Sequence, residues 1–218
     1  MDIRYNYISL VALGNFNPAI VTPDFLKKEC GLDLGKVISE SPSIMPIHKD
    51  IQFENIRLTF DLTRLEFKET NFQNGRGSNL VNIFRIYYEK LPYTPIKAVG
   101  VNFNCEIIVE EADFKRLLDK IRDPKTYLSF LNIDSIEVAE KSVYQKNTKA
   151  WLGADFIVKN LKNFKRQISI LKKNDTFNIN YNFETTNWGQ EENGLKNFVQ
   201  NYEPFCVEFA EFGENLRR

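Results

Sequence analysis

Hydrophobic and polar positions alternate most cleanly from Val99 to Val109. Val99, Val101, Phe103, Cys105, Ile107 and Val109 hold the odd positions, while Gly100, Asn102, Asn104 and Glu106 fill most of the even ones. Period-two alternation of this kind predicts a strand with one face in a core and the other facing outward. The same pattern recurs at Phe177, Ile179, Tyr181 and Phe183, interleaved with Asn178, Asn180, Asn182 and Glu184, after a turn at Asn174-Asp175. Ile56, Leu58, Phe60 and Leu62, followed by Leu65 and Phe67, predict a hairpin, and Arg4 to Leu13 predicts a first strand apolar on both sides. Between about 127 and 184 the pattern is strand-like throughout, in segments near 127–145, 151–159, 164–172 and 176–184.

Helical spacing appears in three main places. Leu80, Val81, Ile83, Phe84, Ile86, Tyr87 and Leu91 repeat at three and four, with Ser78 as cap and Leu91-Pro92 as stop. Phe114, Leu117, Leu118 and Ile121 form a second stripe, ended by Asp123-Pro124. Leu195, Phe198, Val199, Tyr202, Phe205, Phe209, Phe212 and Leu216 form a third that persists across Pro204, predicting one kinked helix or two abutting ones. A shorter helix is expected from Thr22-Pro23-Asp24, closed at Cys30-Gly31, and residues 31–46 read as a connection. The elements predict an α+β fold, with a largely antiparallel sheet of about seven to nine strands covered by three or four helices, the longest of them C-terminal and amphipathic. One domain over 1–218 is expected, or two tightly joined halves at 1–124 and 125–218. Both halves run strands and then a helix, but Asn-Phe-Asn at 15–17 and 102–104 is their one literal echo.

Composition sharpens the picture in two respects. Eighteen Phe and nine Tyr in 218 residues favour strands and broad apolar faces. No apolar run reaches the roughly 20 residues of a membrane helix, and no membrane association is expected. Cys30, Cys105 and Cys206 are odd in number and lack any C-x-x-C, so neither a disulfide framework nor a zinc site is indicated, and a cytoplasmic location is expected.

Charge is zero overall but unevenly placed. Residues 141–173 carry a net +8, residues 174–218 a net −5 and residues 1–140 a net −3. One reading makes Lys159, Lys162, Lys165, Arg166, Lys172 and Lys173 a phosphate-binding surface, with Tyr144, Trp151 or Phe164 available for stacking on bases. The other pairs this basic region with the acidic C-terminal helix, and the chain's pI of about 6.6 favours it over the pI above about 9 usual for nucleic-acid-binding domains.

Candidate chemistry is sparse. His48 is the single histidine, so any Ser-His-Asp or Cys-His site must use it, and no G-x-S-x-G motif accompanies it. Gly31 to Val37 lacks the glycine spacing and the Ser or Thr of a phosphate-binding P-loop. The Gly75-Arg76-Gly77-Ser78 loop at a helix start could cradle an anion through its amides. Asn102, Asn104 and Glu106 fall in a row on one strand face, as the floor of a polar pocket would. Pro23-Asp24 with Glu66 and Lys68 resembles the restriction-endonuclease-like core, which implies acids holding magnesium and a lysine steadying water, and hence a metal-dependent hydrolase. Lys49 to Glu54 resembles a short stretch of SecB-type chaperones, and nothing is carried over from it.

The expected function is a non-enzymatic protein-interaction or assembly component, oligomeric or complexed with a protein partner, without cofactor or metal. Phe205, Phe209 and Phe212 on the C-terminal helix, together with exposed sheet edges, are its expected contacts. A nucleic-acid-binding protein is the second reading and the hydrolase the third.

Overall fold

A computed structural model of the chain describes residues 1–42, 47–70, 72, 78–123, 135–145, 148–159, 164–173, 176–185, 188 and 194–217. The long alternating segments pair into one ten-stranded antiparallel sheet. In chain order the strands are β1 Asp2–Gly14, β2 Val37–Glu40, β3 His48–Phe53, β4 Ile56–Asp61, β5 Arg64–Glu69, β6 Ile96–Ile108, β7 Ser135–Gln145, β8 Thr148–Lys159, β9 Phe164–Lys173 and β10 Thr176–Thr185. The helices are α1 Leu80–Lys90, α2 Glu111–Arg122 and α3 Gly194–Arg217. The α+β architecture and the long C-terminal helix are as the sequence predicts.

Strand order across the sheet is β2-β3-β4-β5-β1-β6-β10-β9-β8-β7. It reads as a palindrome about the β1–β6 pair. Each half contributes a thirteen-residue strand, then a four-stranded meander whose last member pairs back on that strand, then a helix. The Asn-Phe-Asn echo has no part in this repeat, because residues 15–17 follow β1 whereas 102–104 lie inside β6.

The odd residues of β6 and β10 point to one face, where Val101, Phe103, Ile107, Phe177, Ile179 and Phe183 are fully buried. All three helices cover this face. Tyr87 of α1 meets Phe60 and Phe67, Phe114 of α2 stacks on Phe177 with ring centroids 5.2 Å apart, and Phe209 of α3 stacks on Phe103 at 4.8 Å. The helices therefore rest on one apolar core rich in aromatic rings, each removing a large apolar area from water. At the end of the central ladder the Thr185 hydroxyl accepts from the Val99 amide and donates to its carbonyl, both at 3.0 Å.

The N-cap positions fall at Asp24 and Asn79, later than the sequence predicts, and neither side chain makes a cap bond, but the expected hydroxyls still accept amides nearby. The Phe25 amide donates to the Thr22 hydroxyl at 3.1 Å, and the Leu80 amide to that of Ser78 at 3.3 Å. The segment after Thr22 closes as a wide turn, with the Cys30 amide bonded to the Phe25 carbonyl, rather than as a regular α-helix. Within the stretch read as a connection the structure forms β2, and α3 runs through Pro204 as one helix. Among the described residues, no helix is long and apolar enough to cross a membrane.

Candidate functional site

With the helices gathered on one side, the even residues of β6 and β10 lie on the opposite, open face. Asn102, Asn104 and Glu106 share it with Asn178, Asn180, Asn182 and Glu184, and pairing sets Asn102 opposite Asn182 and Asn104 opposite Asn180. Asparagine is a poor strand former, and here five sit on two adjacent central strands. A β-bulge between Tyr5 and Tyr7 turns a sixth, Asn6, onto the same face, where its Nδ2 donates to Asn104 Oδ1 at 2.8 Å. Asn104 is 5% exposed and spends both amide protons, on Asn178 Oδ1 and on the Ile179 carbonyl, each at 3.1 Å. Asn102, Asn180 and Asn182 have no side-chain hydrogen-bond partner among the described residues.

Next to these amides lies a groove of about 150 Å³, lined by Val11, Leu13, Ala98, Val99, Gly100, Asn102, Asn182 and Glu184. Gly100 leaves its floor open. A Cβ there would stand 2.9 Å from the Phe183 carbonyl and 3.3 Å from Asn182 Oδ1. On the neighbouring strands the open face is charged in both signs. Arg57 pairs with Asp50, Arg64 with Glu66, and Lys68 lies 3.7 Å from the centre of the Tyr7 ring. Burial and the nearby Glu66 carboxylate both push the Tyr7 hydroxyl above its ordinary pKa.

The basic residues singled out in the sequence divide between the faces. Lys165 lies on the open face opposite Glu184. Arg166 points into the helix layer, 8% exposed, with Nε and Nη2 at 2.6 and 2.9 Å from the two Glu208 oxygens. Lys172 is also on the helix side, 4.8 Å from the Phe114 ring centre. Lys159 and Lys173 belong to β8 and β9, while Lys162 lies outside the described residues. Of the three stacking candidates, Phe164 is buried against Phe205, and Tyr144 and Trp151 belong to β7 and β8.

Phe205, Phe209 and Phe212, expected as partner contacts, are 2%, 1% and 0% exposed beneath α3. Their partners include Tyr5, Phe103, Phe164, Tyr181 and Phe183 of the chain's own sheet. The stripe is spent on the core.

The catalytic candidates are likewise placed apart. His48 Nδ1 lies 2.5 Å from Asp61 Oδ1 across the β3–β4 pair, a His–Asp couple whose one side-chain partner among the described residues is this aspartate. All three cysteines are buried. Asp24 is held by Lys28, whose hydrogen bond lowers the carboxyl pKa. Its turn ends at Cys30, near Tyr87 and Lys90 of α1, on the helix side of the sheet, whereas Glu66 and Lys68 are on the open side. Asp24 pairs with Lys28 and Glu66 with Arg64, so the ion pairs of the nuclease-like set do not bring its members together. Among the described residues, no group of three or more His, Cys, Asp or Glu side chains could hold a metal ion. Of the Gly75 to Ser78 loop, 75–77 lie outside the described residues.

No family model matches the chain, and no curated protein matches it. Among solved structures it is similar to the rolling circle replication initiator protein from Geobacillus stearothermophilus, at 8% identity over 93% of this chain and 97% of that one, with a TM-score of 0.32. A likeness of that size supports no argument about fold or function.

Proposed function

We propose that the chain is a non-enzymatic interaction component that engages a protein partner, or a second copy of itself, through the open face of the sheet. The observation that carries this reading is the set of asparagines on β6 and β10, on the face that no described helix covers. Side-chain amides neither titrate near neutral pH nor act as nucleophiles, but each offers two donors and an acceptor, which suits recognition rather than chemistry. Placing poor strand formers in the centre of a sheet sacrifices local stability, as functional surfaces do. The test is the native mass of the purified chain and of whatever co-purifies with it, with and without Asn182→Arg. The reading predicts a complex or oligomer that protects the Asn102–Asn182 region from hydrogen exchange and that Asn182→Arg disrupts without lowering the thermal midpoint. A chain that stays monomeric and partnerless, or a complex indifferent to Asn182→Arg, overturns it.

A second reading keeps nucleic acid as the partner. Its support is the strand order, which gathers β7, β8 and β9, and with them most of the net +8 of residues 141–173, at one end of the sheet. Salt-sensitive binding of DNA or RNA at low ionic strength, weakened by Lys165→Glu, is its expected signature. Absence of such binding removes it.

A further inference from the structure

We infer that the groove beside Gly100 receives the side chain of a lysine or arginine carried by the protein partner. This rests on the protein-interaction reading above and names the chemistry of its contact.

The first reason is an uncompensated charge. Glu184 lines the groove, and among the described residues no cation lies within the 4.0 Å of an ion pair. Its register partner Lys165 shares the face but does not pair with it. The second is the shape of the wall. Val11, Leu13 and Ala98 line one side, and Leu13 is 44% exposed, an apolar surface suited to the methylene stem of a long cationic side chain. The third is the acceptor set. Asn102 and Asn182, a cross-strand pair next to Glu184 and both without side-chain protein partners among the described residues, share the groove lining and can offer carbonyl oxygens to the remaining N–H groups of an ammonium or guanidinium.

Other occupants fit less well. An acidic side chain would face Glu184 directly. A purely apolar one would cover that carboxylate without pairing it, at a desolvation cost nothing repays. Gly100 is what lets the occupant reach the polar end, since any side chain there would crowd the Phe183 carbonyl and fill the floor.

The probes are four acetylated, amidated pentapeptides, Ala-Ala-X-Ala-Ala, with X as lysine, arginine, norleucine or glutamate. They are titrated into the full chain by calorimetry and by amide NMR. The lysine and arginine peptides are expected to shift the Gly100, Asn102 and Glu184 resonances. They should bind at least about tenfold more tightly than the other two, and weaken as salt is raised. Glu184→Gln, which keeps the shape, should remove most of that preference, and Lys165→Gln should strengthen the cationic peptides by removing a like charge from the same face. Equal binding of the norleucine peptide overturns the inference, as does a lysine peptide that moves no resonance in the groove. If the peptides fail while Asn182→Arg still breaks the complex, this inference falls alone. If Asn182→Arg leaves the complex intact, the interaction reading falls and takes this inference with it.

Discussion

Arg166 and Lys165 are neighbours in sequence and opposites in role. Lys165 is at the open surface, whereas Arg166 forks onto Glu208, which also accepts from the Tyr181 hydroxyl at 2.7 Å. Burial alone would pull the guanidinium's pKa down, but the hydrogen bonds and charge of Glu208 outweigh it, so the arginine stays charged inside the helix layer. Its Nη1 has no hydrogen-bond partner among the described residues. Glu208→Ala should therefore cost about 3–5 kcal/mol, because it strands a buried charge, and urea denaturation should read that loss as a lower midpoint. The double change Arg166→Met with Glu208→Leu should recover most of it; equal losses in the single and double variants would count against the ion-pair account. The division was legible in principle. Phe164, Ile168 and Ile170 set the apolar phase of the strand on even numbers, which puts Arg166 and Lys172 inside and Lys165 outside. Reading the basic run as one surface overlooked this parity. The sequence pattern did place Asn102, Asn104 and Glu106 on one face, but it could not show that β10 would lie beside them and double the row, because pairing is a long-range choice that alternation does not encode.

At the level of elements, α3 buries a row of side chains that includes Phe198, Tyr202, Phe205, Phe209, Phe212 and Leu216. Phe209 touches Tyr5, Phe103 and Tyr181, and its stripe neighbours Phe205 and Phe212 fill the space on either side. Phe209→Ala should lower unfolding stability by about 3–5 kcal/mol, measured by denaturant titration, while substitution at the exposed Pro204 position should act through the backbone alone. The stripe's spacing announced the helix; what it could not say was whether its partner lay in the same chain. β2 was silent for a different reason. It has four residues, three of them exposed, and a bulge between Val37 and Ser39 breaks the alternation that would have revealed it. That bulge also protects the sheet. With Glu40 paired to the buried Lys49, the β2 edge is short, irregular and charged, and so is poorly suited to pairing with another strand.

For the whole molecule, the β1–β6 pairing decides how many units unfold. It runs almost the length of both strands and shares its apolar layer with α3, so we expect one cooperative transition rather than two separate halves. Circular dichroism and tryptophan fluorescence should give coincident curves, and two resolved transitions would refute this. The midpoint should also depend on alkaline pH. Burial raises the Cys105 thiol from 9.0 to about 12, and burial with the nearby Glu203 raises Cys206 to about 12. The fold favours the neutral thiol, so this stability is fully present below pH 9 and is lost as pH rises from 9 through about 12. Replacing both cysteines by alanine should flatten that alkaline decline.

The palindromic strand order carries a consequence for any ligand laid along β1 and β6. The backbone offers the same topology in either direction, but the side chains do not. At the Leu13 end a bound chain meets the groove and Glu184, while at the other end it meets Glu106, already held by the Thr176 hydroxyl at 3.0 Å. A polymer seated there is read with a head and a tail, so a nearly symmetric scaffold would still enforce one polarity.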